Sequence, residues 1–337
     1  MIKNKLKEII PKPLLKPMKQ IYSKYKIFGL YKYDMKRFNY GYVTDYNKAS
    51  LDQLDAYLMF YTHSIEKGLS HNNFRANFGK RALSSLSEVL TTYISKGFSK
   101  ENIRYKTALS ALKNYIISHQ RIGIEHTIIL DIFDKEILND IETSDIELSG
   151  FVELNSKDKL DNDKKNFEEL FLNRVSVREY SNAKVDLNLI REAVQISTKS
   201  PSVCNRQASR VYMMKTKELI EDVLGIQKGF SGYKLPPVLL LVTATNNMLV
   251  SPIERNEAFI DGGIFAMSLL CSLEYKGLAA CALNAMLSNS DETKIKEIVG
   301  VPKEEALIMF IALGNFKNSV KTPKSLRDPL NKILKEV

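Results

Sequence analysis

Arg174-Val175-Ser176-Val177-Arg178 is the stretch of this sequence on which the fold assignment rests. In an extended backbone, side chains at alternate positions point to the same side. The two arginines and the serine between them would therefore form one polar ridge. Guanidinium groups bind phosphate oxygens in bidentate geometry, and a hydroxyl adds a further donor. The motif alone fits two interpretations: a site for a phosphorylated ligand, or a solvated strand edge that carries two arginines.

The length and composition of the chain are those of a soluble globular protein. Its 337 residues are enough for one large domain or two of ordinary size. The longest apolar runs, such as residues 238–242 and 264–273, are too short to cross a bilayer. The N-terminus has no apolar segment followed by a small-residue cleavage site, so we expect no secretory signal. Three cysteines at spacings unsuited to a metal indicate a reducing compartment, and we predict a cytoplasmic protein.

The net charge of +10 is concentrated at the N-terminus. Residues 1–40 contain eleven Lys or Arg and two acidic residues, which gives this arm a net charge of +9. Because the rest of the chain is close to neutral, a nucleic-acid partner for the whole protein is not supported. Early prolines interrupt the arm, and a short amphipathic helix is predicted from Pro17 onward. Such a helix suits an anionic membrane surface, where the protein would be peripheral; the alternatives are a disordered tail and an arm packed on its own domain.

Helical periodicity dominates the segment from about residue 51 to residue 143. Apolar residues recur at steps of three and four, which predicts amphipathic helices over residues 51–68, 81–95, 103–117 and 128–141. His63 and Gly68 lie near the end of the first helix. We interpret the glycine as a helix C-cap and the histidine as structural.

A polar stretch at residues 154–166, rich in Asn, Asp, Lys and Ser, marks a domain boundary. The chain is therefore predicted to contain a basic amphipathic arm, a helical domain and a C-terminal domain, which span residues 1–45, 46–160 and 161–337.

Strands and helices are interspersed in the C-terminal domain. The unbroken apolar run at residues 238–242 is typical of a strand buried on both faces. The segment 256–276 reads as a long helix that is apolar almost all round and must be buried on nearly every side. Gly262 and Gly263 within it indicate close approach of another backbone, such as that of a subunit partner.

The order of several motifs resembles that of the FMN-dependent nitroreductase family. The resemblance covers about residues 165–330 and rests on Arg-x-Ser-x-Arg, Ser200-Pro201-Ser202-x-x-Asn205-x-Gln207, Asp261-Gly262-Gly263, Gly277-Leu278, and Leu313-Gly314-Asn315 with Lys324. It implies an α+β fold, with a nitroreductase-like mixed sheet flanked by helices and preceded by an all-helical N-terminal domain. It also implies a homodimer with two FMN molecules at the subunit interface.

The resemblance further implies which residues bind the cofactor. The phosphate, ribityl chain and pyrimidine edge of FMN would be held by Arg174, Ser176 and Arg178. Lys324 and Arg327, in the C-terminal tail, would contact the phosphate from the other side. The flavin bound mainly by the other subunit would be reached by the loop with Pro201, Ser202, Asn205 and Gln207. The segment with Leu283, Asn284 and Ala285 would place a backbone N–H, near Asn284 and Ala285, at flavin N5.

No catalytic side chain and no metal are predicted, since the flavin would carry the chemistry. All four histidines lie in the N-terminal half, so the C-terminal half cannot supply a Ser-His-Asp triad or a histidine-ligated metal from its own residues. Cys204, beside the predicted site, is interpreted as packing filler. We therefore expect an FMN-dependent NAD(P)H oxidoreductase that reduces a small electron acceptor by a ping-pong reaction, with NADH or NADPH as the reductant.

Two further expectations concern the context of this reaction. Family members with comparable N-terminal extensions suggest, by analogy, a link to surface-polysaccharide biosynthesis. The alternative function is that of a non-catalytic protein that binds flavin, or that docks on a membrane or an anionic polymer through its basic arm.

Overall fold

A computed structural model describes residues 12–337 of the chain. Residues 1–11, the first part of the predicted arm, lie outside the described residues. The helices, in chain order, are α1 (Lys12–Gly41), α2 (Leu51–Leu69), α3 (Lys80–Ser95), α4 (Ile103–Arg121), α5 (Thr127–Ile132), α6 (Lys135–Thr143), α7 (Phe167–Asn173), α8 (Leu187–Ser197), α9 (Lys217–Gln227), α10 (Glu257–Tyr275), α11 (Asn289–Val299) and α12 (Leu330–Ile333). The strands are β1 (Phe151–Asn155), β2 (Ser209–Met214), β3 (Val238–Thr245), β4 (Leu278–Asn284), β5 (Glu305–Asn315) and β6 (Ser319–Pro323).

The arm is one long helix and not a short one. α1 spans 30 residues, with Pro13 in its first turn, where a missing N–H removes no hydrogen bond, and with Pro17 inside it. The large apolar side chains between residues 21 and 42 are mostly exposed. Asp34 ties the helix to the C-terminal half, because its carboxylate accepts hydrogen bonds of 2.6 and 2.8 Å from the Arg255 guanidinium.

Helices α2 to α6 form a domain with an apolar core of their own. Ser50 and Gln53 form a capping box at the start of α2, which fixes where this helix begins. The helix predicted over residues 128–141 is two helices, α5 and α6. The chain extends at Phe133, which is 4% exposed, and α6 begins after Asp134. Burial of the Phe133 ring therefore takes precedence over continuous helical periodicity.

Gly68 is not a helix cap. It lies inside α2, which continues to Leu69. A Cβ atom at this position would lie 1.8 Å from the ring of Phe78. The glycine is needed because the Phe78 ring packs directly against the helix backbone.

A four-stranded antiparallel sheet organises the C-terminal half, in the order β2-β3-β5-β4. Helices α8 and α10 cover one face, and α9 and α11 cover the other. All eight residues of the central strand β3 are buried, as its apolar run predicts. The predicted α+β fold, with helices flanking a sheet and a helical N-terminal domain, is confirmed. One detail differs: the resemblance implied a mixed sheet, whereas the strand pairs among residues 12–337 are all antiparallel.

Helix α10 has one buried and one exposed apolar face. Its buried face packs against the sheet through residues such as Ala266 and Leu269, both 0% exposed. The opposite face leaves Phe259, Ile260 and Ile264 exposed by 58%, 52% and 40%. The expectation of burial on nearly every side is therefore not met within one protomer. Among the described residues, α10 alone is long and apolar enough to cross a membrane by length and composition, and 56% of it is buried inside the protein.

The predicted boundary segment, residues 154–166, is packed against the C-terminal half. The Lys159 ammonium lies 2.7 Å from the Glu274 carboxylate in α10, and both side chains are 3% exposed. Asn162 donates a hydrogen bond of 2.8 Å to the Glu274 carbonyl. Just before this segment, β1 pairs with β6 in a separate antiparallel sheet. The polar composition of the segment thus reflects buried polar contacts as well as exposure.

Candidate functional site

Five of the residues predicted to bind the cofactor line a single cavity of about 230 Å³. It lies between residues 174–178 and the chain that follows β6. Its polar lining consists of His63, Arg174, Ser176, Arg178, Thr322, Lys324, Ser325 and Arg327. We call it the anion cavity, because four permanently cationic side chains and no carboxylate are among its lining residues.

Two neighbouring strands hold residues 174–178 in place. The Val177 N–H donates a hydrogen bond of 3.0 Å to the Ala280 carbonyl in β4. From β6, the Thr322 hydroxyl donates one of 2.9 Å to the Ser176 carbonyl. The alternating side chains then separate: Val177 is buried in an apolar cluster, and the polar residues of the motif line the cavity. Val175 also lines the cavity, so the predicted alternation separates only Val177 from the polar residues.

The opposite wall of the anion cavity is the tail after β6. The Lys324 ammonium lies 3.0 Å from the Glu147 carboxylate, which is 76% exposed. An exposed pair of this kind is worth little, so Lys324 can exchange its partner for a better-held anion. Arg327 donates a hydrogen bond to the carbonyl of Ser325, a residue whose φ of +49° turns the tail. The tail thus presents two cations across from the arginines of the motif.

Arg178 is the most deeply placed cation of the cavity. The residue is 8% exposed, and one of its terminal nitrogens lies 3.4 Å from the Ser176 carbonyl. Its Nε is buried and has no hydrogen-bond partner among the described residues. An unpaired buried donor costs about 1–3 kcal/mol, and more when it is charged. The side chain is therefore placed to receive an acceptor atom from outside the chain.

The surroundings of Arg178 are electropositive. Burial, and then the Arg178 charge, lower the pKa of Lys67, a residue of α2. Burial raises the pKa of the Cys281 thiol, although the Arg178 and Lys67 charges oppose this shift. The thiol is therefore held protonated, and Cys281 is not an activated nucleophile.

The loop with Pro201, Ser202, Asn205 and Gln207 does not line the anion cavity. Asp261, which is 4% exposed, fixes this loop by accepting two hydrogen bonds of 3.2 Å from the Val203 N–H. Cys204, Asn205 and Gln207 all have positive φ angles near +50°, a strained conformation that is often found at functional sites. Cys204 is exposed, so its interpretation as packing filler is wrong.

The segment with Leu283, Asn284 and Ala285 also lies outside the cavity lining. Leu283 packs in the core between the sheet and helices α9 and α11, and Ala285 lies against the same core. The Asn284 carbonyl accepts a hydrogen bond of 3.0 Å from the Gln227 side chain. The residue of this region that does line the cavity is Ala282, because side chains alternate along β4. Within one protomer, the basic residues of segments 174–178 and 324–327 line the cavity. The loop at residues 201–207 and the segment at residues 283–285 do not.

His63 is one of several lining residues that sequence reasoning missed, with Thr322 and Ser325 among the others. A lone histidine near the end of a helix is interpreted from sequence as structural. The signal that could have found it is its spacing. His63, Glu66, Lys67 and Ser70 recur at steps of three and four residues, which places them on one face of α2.

A second, larger cavity of about 690 Å³ shares no lining residue with the anion cavity. The ring of His71 stacks on that of Tyr233 at its mouth, with ring centroids 3.8 Å apart. Glu179 accepts hydrogen bonds from the Asn72 backbone and side chain, and it pairs with Lys317. This cavity therefore also lies between the helical domain and the C-terminal half. Within residues 12–337, no cluster of three or more His, Cys, Asp or Glu side chains is placed to hold a metal ion.

Comparison with protein families assigns the C-terminal half. The model of the nitroreductase family matches residues 172–235 and 235–315, which include the arginine motif and the whole four-stranded sheet. Within the C-terminal half of the chain, residues 172–315 therefore match the nitroreductase family. The family predicted from the motifs is confirmed.

Solved structures similar to this chain cover about half of it. A nitroreductase family protein from Clostridium difficile is 22% identical over 51% of this chain and 98% of its own, with a TM-score of 0.44. A nitroreductase with bound FMN from Desulfitobacterium hafniense is 22% identical over 50% of this chain and 97% of its own, with a TM-score of 0.41. A search of curated proteins found no match.

Proposed function

We propose that the protein is an FMN-dependent NAD(P)H oxidoreductase of the nitroreductase type. The observation that carries this proposal is the buried, unpaired Nε of Arg178 in a cavity with three further permanent cations. An acceptor atom of the flavin end of a bound cofactor would satisfy this donor with a charge-assisted hydrogen bond, and its phosphate would pair with the other three cations. The nitroreductase family match of the same half of the chain supports FMN as the phosphorylated ligand.

The cavity divides into two regions with different tasks. Arg174, Ser176, Lys324 and Arg327 surround the outer part and would bind the phosphate, which carries nearly two negative charges. Arg178 lies deeper and would face the flavin end of the cofactor. A volume of about 230 Å³ is below the usual range of whole-ligand pockets, which begins at about 300 Å³. The cavity of one protomer therefore suits the phosphate end of FMN and not the entire molecule.

Bound FMN would supply the redox chemistry, accepting a hydride from NAD(P)H and passing electrons to an acceptor. The side chains of this chain would orient the cofactor and set its electrostatic environment. Arg178 places positive charge in the buried part of the site, where it would stabilise negative charge on a reduced cofactor. No acidic or basic side chain of the C-terminal half is needed for proton transfer in this scheme.

We further propose that the site is completed by a second copy of the chain. The exposed apolar face of α10, with Phe259, Ile260 and Ile264, supports a homodimer. The strained loop at residues 201–207 supports it too, since it lies outside the protomer's own cavity and is held by Asp261. The resemblance assigns this loop to the flavin of the partner.

Other parts of the proposal rest on the sequence alone. They are the ping-pong order of NAD(P)H and acceptor, a cytoplasmic location and a link to surface-polysaccharide biosynthesis. Contact of residues 1–40 with an anionic membrane also remains a proposal; the exposed aromatic side chains of α1 are compatible with it.

The alternative is a non-catalytic protein that binds flavin or docks on a membrane or polymer. Purified full-length protein, reconstituted with FMN and freed of excess cofactor, separates the possibilities. We expect a yellow protein with one FMN per chain that is bleached by NADH or NADPH without oxygen and recoloured by a quinone or nitroaromatic acceptor. A yellow protein that neither nucleotide bleaches would support the alternative. A colourless protein after reconstitution would overturn FMN binding itself.

A further inference from the structure

One face of helix α2 connects the helical domain to the nitroreductase domain. The polar residues on it are His63, Glu66, Lys67 and Ser70. The Glu66 carboxylate accepts a hydrogen bond of 2.8 Å from the Ser149 hydroxyl, just before β1. Lys67 donates one of 3.2 Å to the Gly229 carbonyl, and the Ser70 and Tyr233 hydroxyls lie 3.3 Å apart. Three of the four side chains on this face are therefore engaged in contacts between or near the two domains.

His63 differs from these three neighbours. Within residues 12–337 its side chain makes no hydrogen bond, although it lines the anion cavity together with Arg174 and Arg178. Its Nδ1 lies 3.8 Å from a carboxylate oxygen of Glu66, whose side chain is 3% exposed. The other ring nitrogen is left without a partner among residues 12–337. A carboxylate beside one edge of an imidazole orients the ring.

The helical domain also holds the tail after β6, which forms the other wall of the cavity. The Ser325 N–H donates a hydrogen bond of 3.4 Å to the Oε1 atom of Glu66. Further along the tail, Asp328 pairs with Arg104 in α4, and Lys332 lies 2.7 Å from Asp55 in α2. Glu66 thus contacts both His63 and the tail that carries Lys324 and Arg327. The helical domain fixes two walls of the cavity through one buried carboxylate.

We infer that the helical domain supplies His63 as a ligand of the cofactor phosphate, with Glu66 as its positioning residue. This inference rests on the proposed function, since it names a further residue of the same site. His63 would donate a hydrogen bond from its free ring nitrogen to a phosphate oxygen opposite the arginines of the motif. The domain therefore takes part in cofactor binding and is not an independent appendage.

The test compares two flavins on full-length apoprotein. FMN and riboflavin, which lacks the phosphate, are titrated into the wild type and His63→Ala by flavin fluorescence. A lost hydrogen bond to the charged phosphate corresponds to roughly ten- to a hundredfold weaker FMN binding. Riboflavin affinity should stay unchanged.

Two further variants sharpen the result. His63→Lys keeps a hydrogen-bond donor for the phosphate at the position and should restore much of the FMN affinity. His71→Phe removes a histidine from the same face between the domains, but outside the anion cavity, and it should bind both flavins like the wild type. Equal losses for FMN and riboflavin in His63→Ala would show a purely structural role and overturn the inference.

Wild-type FMN affinity in His63→Ala would also overturn the inference while leaving the proposed function intact. A wild-type protein that binds neither flavin would overturn both. The two failures are therefore distinguished within one set of titrations.

Discussion

At the scale of single residues, Arg178 shows how the fold places a charge where only a ligand can satisfy it. Its side chain is buried between β4 and the tail, yet one of its donors has no partner among the described residues. Arg174 belongs to the same motif but lies at the end of α7, nearer the surface. This difference in depth predicts a difference in function.

We expect Arg174→Ala to weaken FMN binding and Arg178→Ala to affect reduction as well. Loss of one charge-assisted contact to the phosphate, about 1.5–3 kcal/mol, corresponds to roughly ten- to a hundredfold in affinity. Arg178→Ala should lower the midpoint potential of the bound flavin more than Arg174→Ala does, because a deep cation stabilises the reduced cofactor. FMN titration and redox titration of both variants provide the measurement. If both bind FMN as the wild type does, the assignment of the anion cavity is wrong.

His71 makes the contact between the domains sensitive to acid. Burial, although opposed by Glu179, lowers the pKa of His71 in the folded protein below its ordinary value near 6.5. The unfolded chain therefore takes up this proton first as the pH falls, so the contribution of His71 to stability is present above about pH 6.5 and is lost below it.

His71→Phe should remove this acid sensitivity while keeping a ring against Tyr233. We expect the wild type to lose more thermal stability than the variant between pH 7.5 and pH 5.5, as measured by circular dichroism. The same pH dependence in both proteins would show that His71 has no part in it.

At the scale of elements, α10 carries two adjacent glycines with different surroundings. A Cβ atom on Gly262 would lie 2.6 Å from the Ile308 side chain in β5, whereas one on Gly263 would meet nothing within 4 Å. Gly263 lies on the exposed apolar face with Ile260 and Ile264. The first glycine is therefore required by the fold of one protomer, and the second is free to accept a partner.

This contrast predicts separate effects for the two positions. Gly262→Ala should destabilise the fold, because overpacking costs typically about 1–3 kcal/mol and exceeds the gain of up to ~1 kcal/mol in helix propensity. Gly263→Leu should leave the protomer folded but shift a dimer toward monomers and release flavin. Urea unfolding and light scattering measure the two effects. A Gly263→Leu protein that stays fully dimeric would exclude this face of α10 from the interface.

At the scale of the whole molecule, the basic arm and the cofactor site are far apart in sequence. The arm contacts the C-terminal half at few positions. Asp34 binds Arg255, just before α10, and most other side chains of α1 are exposed. None of the residues that line the anion cavity belongs to α1. The arm should therefore be separable from flavin binding.

Deletion of residues 1–40 should leave FMN stoichiometry unchanged and weaken sedimentation with anionic liposomes. Each cation near the headgroups contributes about 1 kcal/mol to such binding. The control variant Lys24→Gln/Lys32→Gln/Lys36→Gln keeps the helix and its aromatic residues, and it changes three exposed positions. It should show a smaller loss of sedimentation than the deletion. Loss of FMN from the truncated protein would instead make the arm part of the flavin domain.

The sequence by itself determined the features that depend on local periodicity. The apolar run of β3 and the periodicity of the helices α2, α3 and α4 are visible in it and are observed. These features follow from repeats of two and about 3.6 residues and from hydrogen bonds between near neighbours. Together with the motif order, they were sufficient to identify the nitroreductase domain.

Tertiary structure alone decided which distant residues meet. The break between α5 and α6 follows from burial of Phe133, and the need for Gly68 follows from the Phe78 ring. His63 lies in the anion cavity because α2 packs across the nitroreductase domain and the tail returns to Glu66. Such contacts join residues separated by more than a hundred positions, and no local pattern encodes them, because they depend on how complete elements pack together.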